Sequence, residues 1–502
     1  MRSDPGQAED VQPEDPEEHV LDSPEAGAAA VRGSALRSAG YVAGLALSLV
    51  SAPLLTRHLG TVRFGQYIAV ISLVTIVAGL TEGGLNSIAL REYAARVGAE
   101  RATVMRDLIG IRLVLSVLGG LIAVALAAAF GYAHPLVLGT AVAVGGQMLQ
   151  VYQTLLGTSL QGELRFGWIT VLELVRQSVS VALIVAFVLA GAGLLPFFAI
   201  PVAAGLATLS VTFRITRRLI PLRPAFHPAR WLPLLRDTFP FAAAIAVSVL
   251  YFRVVVIAMS LLASSLQTGY FGASFRVIEV LVGVPSLIAG AAFPILARTA
   301  AQGDEERLYY ASGRLVEGTL VLGTFLSLML VLAAKPVIDV LGGAAFAKSV
   351  PVLRIQGLAL MATCVAVSAG YVLLALRRHR AILIANATAL LVSVVASIVL
   401  ISALDAQGGA IAVVIAELTL AGMQVTMLVK ARPRLRRQFL VRPLAIVAAG
   451  AAASAVQLIP GPPALAKAAL GALAFAALLA LTGSFPPEIR ELLGNLRRSR
   501  AG

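Results

Sequence analysis

The sequence predicts an all-α polytopic membrane protein with about fourteen transmembrane helices. Three observations lead there. Of 502 residues, 58% are hydrophobic and only 13% are charged, where soluble domains carry about 25% charged residues. The apolar residues come in blocks of roughly twenty, the length at which a helix crosses a bilayer core. Basic residues gather in every second connection between those blocks. Burial in water cannot absorb this much apolar sequence. The short connections leave no room for a second soluble domain.

Residues 1–34 form an acidic tail, with nine carboxylates between Asp4 and Glu25 and four prolines. Such a segment buries too little apolar surface to offset its chain entropy and is expected to be disordered. It lacks the basic and apolar regions of a signal peptide, so the first helix is expected to be retained. Spans are expected near 35–56, 64–85, 106–130, 135–158, 167–190 and 193–213, giving a first lobe over 35–213. A basic linker, 214–237, separates it from a second lobe, 238–429. Its spans fall near 238–262, 268–297, 312–334, 350–375, 381–403 and 408–429. A basic loop, 430–442, leads to two further spans near 443–459 and 464–482 and a basic tail, 483–502.

Lysine and arginine set the expected orientation. With a cytoplasmic N-terminus, the inside connections and C-terminal tail hold 27 basic residues and the outside ones hold five, Arg57, Arg63, Lys335, Lys348 and Lys467. That asymmetry favours an even number of spans with both termini in the cytoplasm. It also accounts for the net charge of +14 without nucleic acid as a partner.

The halves carry traces of a repeat. Leu54-Leu55, Thr61, Phe64-Gly65 and Ile71 recur as Leu261-Leu262, Thr268, Phe271-Gly272 and Ile278, at a constant offset of 207 residues. An offset of six spans makes such repeats parallel, as in transporters whose two bundles rock about a central site.

Enzyme signatures are missing. No Walker phosphate loop, nucleophile elbow or zinc-protease motif occurs. The single cysteine, Cys364, excludes an intramolecular disulfide. The five histidines form no HxxxH pair, so no metal, cofactor or catalytic residue is expected.

Ionisable groups inside apolar spans carry the functional signal, because a charge at the bilayer centre needs a partner or a wet cavity. Arg253 has no carboxylate three or four residues away. It is read either as an anion contact or as the interhelical partner of Glu279 or Glu417. Arg276 and Glu279 share one helix face at i,i+3. They are read as a cavity pair or a pair buried between helices. Glu173 and Arg176 form a similar pair, read as lying near the inner surface, where Arg176 can snorkel to headgroups. Arg37, Arg57 and Arg63 mark span ends, as interfacial anchors or cavity groups. Glu82 lies near the inner end of the second span. Pro53, Pro201, Pro240, Pro285 and Pro294 fall inside expected helices, where each removes a backbone donor and can bend the helix.

The segment Ala52–Ala95 resembles the amino-terminal signature of polysaccharide-biosynthesis flippases, the Wzx type of the MOP superfamily. The similar points are Leu59-Gly60, Phe64-Gly65-Gln66-Tyr67, Gly84-Leu85 and Arg91-Glu92-Tyr93. Val337–Leu353 and Phe271-Gly272 with Phe275-Arg276 extend the likeness over roughly residues 35–440. The resemblance implies two six-helix lobes forming a V around a cavity, plus two peripheral helices. It also implies an undecaprenyl-diphosphate-linked oligosaccharide as cargo, moved by alternating access. Cavity candidates are Arg253, Arg276, Glu279, Arg37 and Arg63. Expected partners are the lipid-linked oligosaccharide, membrane lipid, and the glycosyltransferases and polymerase of a surface polysaccharide. The expected location is the bacterial inner membrane. Rival readings are a cation-coupled multidrug exporter, which would favour acidic cavity groups, and a membrane glycan polymerase or ligase, which would need a larger outer loop. A non-transporting scaffold is a third.

Overall fold

The computed structural model describes residues 24–217, 219 and 223–482. Most of the acidic tail, the basic tail 483–502 and four linker residues lie outside the described residues. Every regular element among the described residues is helical. In chain order they are α1 (Pro24–Glu82), α2 (Leu85–Ala95), α3 (Gly98–Ala129), α4 (His134–Gly162), α5 (Phe166–Leu189), α6 (Leu194–Phe197) and α7 (Ile200–Thr216). After the linker come α8 (Pro228–Leu262), α9 (Ser265–Gln302), α10 (Glu305–Leu341), α11 (Ser349–Ala375), α12 (His379–Ala431), α13 (Arg442–Ser454) and α14 (Ala464–Leu481).

Among the described residues twelve helical runs are long and apolar enough to span a membrane, where the sequence predicts about fourteen. The difference lies in two turns made without loops. α1 has 59 residues and α12 has 53. As straight helices they would be roughly 80–90 Å long, against a core of about 30 Å. α1 breaks at Gly60, at φ 68° and ψ 176°, a conformation that glycine adopts at no steric cost. Ser48 and Thr75, on either side of that break, line one cavity. α12 breaks at Asp405, at φ 50° and ψ −129°. There the chain doubles back so tightly that a Cβ on Gly408 would lie 1.9 Å from the Leu400 carbonyl oxygen. Fourteen is reached only by counting the two arms of each run separately.

Other boundaries shift for local reasons. α1 begins at Pro24, inside the expected tail. Proline suits a first helical turn, and the alanine-rich stretch after it favours helix. α8 takes up the end of the expected linker from Pro228. Pro53, Pro285 and Pro294 do sit inside helices. Pro201 instead occupies the first turn of α7, where its missing donor costs nothing. A bend that the sequence reading missed lies at Ala333 (φ −109°, ψ 16°), three residues before Pro336 in α10.

The halves meet through glycines. A Cβ on Gly65 would stand 2.0 Å from the Ser265 carbonyl oxygen, and one on Gly269 would stand 2.0 Å from that of Thr61. Gly272, the repeat counterpart of Gly65, faces Ile68. Thus the second arm of α1 and its repeat equivalent α9 run side by side at the Gly60 end. Farther along α1, Gly79 packs on Val249 and Gly83 on Ala242 of α8. At the Gly60 end Phe346 is fully buried, edge-on to Phe64 at 6.0 Å and Tyr270 at 6.5 Å. At the opposite end the linker is tied down. The Ala225 amide donates to the Arg106 carbonyl at 2.9 Å, and Arg230 and His227 each lie 3.7 Å from the buried carboxylate of Asp107.

Candidate functional site

Between the glycine contacts at the two ends lies a cavity of about 390 Å³. Both arms of α1 and helices α4, α5 and α7 form one wall, while α8 and α9 supply Arg253 and Arg276. Among the described residues its charged lining is Arg176, Arg253 and Arg276, with no carboxylate. Gln147, Gln150 and Gln177 add amides, and Ser48, Ser51, Thr56, Thr75 and Ser180 add hydroxyls.

Arg253 projects from α8 and pairs with Glu279 of α9 through a short contact between Nη2 and Oε1. Its Nη1 points to Ser72 Oγ of α1, 3.4 Å away. The rings of Phe252 and Phe275 flank the guanidinium, with centroids 5.8 and 5.5 Å from Cζ. Arg276 takes the other oxygen of Glu279 at 2.9 Å. One carboxylate therefore holds two arginines, which offsets the like-charge repulsion between them. The side chain of Arg253 is 10% exposed and that of Arg276 is 41% exposed. Arg276 is thus the open member of the pair and Arg253 the one set behind it. On the opposite wall Arg176 is paired with Glu173 of the same helix. Three arginines and two glutamates leave one net positive charge beside a cavity also lined by amides and hydroxyls.

The sequence-predicted residues divide accordingly. Arg253, Arg276 and Glu279 come together. Arg63 is exposed near the Gly60 turn and does not line the cavity. The reason is the tight turn itself, which keeps Arg63 within one turn of the helix end. The side chain of Arg37 lies outside the described residues. Arg57 ties the halves together, since its Nη2 donates to the carbonyls of Asp339 (2.7 Å) and Val340 (2.8 Å) at the end of α10. Both are last-turn carbonyls of a helix C-terminus, where a cation is favoured, and that of Asp339 also accepts from the Gly343 amide at 3.2 Å. Arg176, read from sequence as near the inner surface, lines the cavity with Gln177, Ser180 and Ile184, from the middle turns of α5 onward. The glutamines were missed. Their signal was an i,i+3 amide pair, Gln147 and Gln150, on one face of an apolar helix.

Glu417, the other possible partner of Arg253, belongs elsewhere. It accepts hydrogen bonds from Tyr251 Oη (2.7 Å) and Thr363 Oγ1 (2.8 Å). These groups, with Asn386 bonded to Ser248, line a second cavity of about 730 Å³ within the C-terminal half.

Comparisons with known proteins agree with this architecture. The profile of the family described as polysaccharide biosynthesis protein matches residues 30–300. No curated protein matches the chain. Among solved structures, the lipid II flippase MurJ in an inward closed conformation superposes with a TM-score of 0.70 at 15% identity, covering 91% of this chain and 99% of that one. An inward-facing multidrug resistance MATE family transporter of the MOP superfamily gives 0.64 at 15% identity, covering 78% and 95%. A MOP superfamily transporter from Pyrococcus furiosus gives 0.58 at 15% identity, covering 82% and 96%. The fold is that of MOP-type transporters, and the chain is a multi-pass membrane protein.

Proposed function

The chain belongs to the polysaccharide biosynthesis protein family, and on that premise we propose that it flips an undecaprenyl-diphosphate-linked oligosaccharide across the bacterial cytoplasmic membrane. The observation that carries this reading is the cavity lining of three arginines without a carboxylate. Guanidinium groups bind phosphate oxygens bidentately, so Arg276, backed by Arg253, suits the diphosphate. The amides of Gln147, Gln150 and Gln177 suit sugar hydroxyls. The isoprenoid tail stays in the bilayer. A cation-coupled drug exporter would place acids on this lining, which argues against that rival.

A cavity of about 390 Å³ lies at the low end of small-ligand sites, roughly 300–1,000 Å³. It holds the diphosphate region and little more, so transport requires the halves to part. Alternating access then consists of releasing the Gly65–Gly269 and Arg57 contacts at one end, or the Gly79–Val249 contacts at the other, around a fixed arginine site. The arginine asymmetry favours an orientation with both termini in the cytoplasm and the Gly60 end outside. The donors of cargo are then glycosyltransferases on the inner face, and the consumer is a polymerase or ligase on the outer face.

The test is carried out in cells depleted of the wild-type protein. Arg276→Ala is expected to accumulate lipid-linked glycan on the cytoplasmic face at normal protein abundance. Full glycan export by the Arg253→Ala/Arg276→Ala double variant, or a selective loss of organic-cation efflux, would overturn the reading.

A further inference from the structure

Away from the central cavity, α12 presents a partly covered face, with Leu418, Gly422, Thr426 and Lys430 exposed and Ala421 and Val425 buried at its edge. Leu418, Ala421, Gly422, Val425, Thr426, Val429 and Lys430 recur at helical spacing along it. They form the floor of a groove of about 560 Å³, walled by Leu358 and Met361 of α11 and roofed by Phe439 and Leu440. Leu418 and Lys430 are twelve residues apart, about 18 Å along a helix. One leaflet of a bilayer core is roughly 15 Å deep. The groove therefore has the length of one acyl chain. Its lining is apolar except at one end, where Lys430 is exposed and pairs with no acid among the described residues. Beyond it the chain runs through a short 3-10 turn (Pro433–Leu435) and a π turn (Arg437–Val441), which carry exposed Arg434, Arg436 and Arg437. Arg432, by contrast, is engaged by Glu305 at 3.2 Å.

From this juxtaposition we propose that the α11–α12–α13 groove is a binding site for an anionic diacyl phospholipid of the bilayer. One acyl chain lies along Leu418–Val429, and the headgroup phosphate sits against Lys430 and the arginines of 434–437. The charge decides the class. A zwitterionic lipid offers the same chains but no net negative charge to the four cations Lys430, Arg434, Arg436 and Arg437, which pair with no acid among the described residues. The carrier isoprenoid would fill a longer path than the groove offers.

Gly422 makes the test clean, because no atom lies within 4 Å of a Cβ placed there. Gly422→Leu introduces its side chain into the groove from a position where the Cβ meets open space. The experiment measures lipid retention by the purified full-length protein in detergent, using native mass spectrometry. The probes are dioleoyl phosphatidylglycerol, dioleoyl phosphatidylcholine and undecaprenyl phosphate. The wild type is expected to retain phosphatidylglycerol over phosphatidylcholine. Lys430→Gln is expected to weaken phosphatidylglycerol about fivefold, the effect of one basic side chain near a lipid surface. Gly422→Leu is expected to remove one tightly held lipid while leaving the detergent melting temperature unchanged. Equal retention of the two diacyl lipids would overturn the proposal, as would an anionic preference that survives both substitutions. Displacement of phosphatidylglycerol by equimolar undecaprenyl phosphate would also overturn it, by assigning the groove to the carrier.

Discussion

Tyr251 and Arg253 stand two residues apart on α8 and engage carboxylates on opposite sides of it, Tyr251 bonding Glu417 of α12 and Arg253 pairing with Glu279 of α9. Residues at i,i+2 diverge by about 200° around a helix, so α8 is a wall with one polar anchor facing the central cavity and one facing the second cavity. Any rotation of α8 moves both anchors together. The Glu417 carboxylate is buried and its described partners are two hydroxyls. Tyr251→Phe removes one of them and is expected to cost about 1–3 kcal/mol, the usual penalty for a buried acceptor left short of a donor. Thermal unfolding in detergent checks this. An unchanged melting temperature would show that the tyrosine hydroxyl is dispensable to the carboxylate.

The two cavity arginines are expected to separate by variant. Arg276 is the more open, so Arg276→Ala should lower transport by about tenfold, the lower bound for losing a charged hydrogen bond, with little change in melting temperature. Arg253 is buried, bridges α8 to α9 and reaches α1. Arg253→Ala should therefore lower both transport and melting temperature. Arg276→Lys should restore transport only in part, because lysine keeps the charge and loses the fork. Equal stability losses from both alanine variants would argue that the pair is purely structural.

How far the sequence discloses this site follows from how local each contact is. Arg276 and Glu279 share a helix face at i,i+3, so their pairing is readable from spacing alone. The choice between Glu279 and Glu417 for Arg253 is not, because it depends on which side of α8 faces which neighbour. The apolar blocks disclose the spans, yet they cannot show that helix runs up to Gly60 and Asp405 from both sides, because a turn absorbed by one residue leaves no polar gap. Gln147, Gln150 and Gln177 carry no charge and so raise no alarm in apolar sequence. The contacts at Gly65 and Gly269 are the reverse case. Their sequence trace, the 207-residue repeat, is visible, but the direct packing of one copy on the other is a property of the fold.

Orientation gives a topology prediction. Reporter domains fused after Arg217 or Arg378 are expected to read as cytoplasmic, and fusions after Ser264 or Ala406 as external. The Ala406 fusion is the sharpest, because it tests the turn at Asp405 inside a single 53-residue run. A cytoplasmic reading there, beside a cytoplasmic reading at Arg378, would mean that α12 does not cross and return.

The last prediction concerns the closed end at Gly60. A methyl group on Gly65 would meet the Ser265 carbonyl oxygen at 2.0 Å and the Gly269 nitrogen at 2.7 Å. Both are backbone atoms of a helix, which cannot swing aside as a side chain does. Gly65→Ala must push α1 and α9 apart, and the strain of overpacking is about 1–3 kcal/mol. It falls only on the state in which this end is closed. A strain of that size shifts a two-state equilibrium roughly five- to 150-fold toward the state open at this end. Arg57→Ala removes two hydrogen bonds at the surface, each worth about 0.5–1.5 kcal/mol, and should act in the same direction more weakly. The readout is a cysteine placed on the cavity wall by Thr75→Cys, labelled by a membrane-impermeant thiol reagent. The native Cys364 is buried, and the protein without the new cysteine reports its background. Labelling from the external face should speed up in the order wild type, Arg57→Ala, Gly65→Ala. A Gly65→Ala rate equal to wild type, with the protein folded, would show that the α1–α9 contact does not gate the cavity and that access from this side runs between other helices.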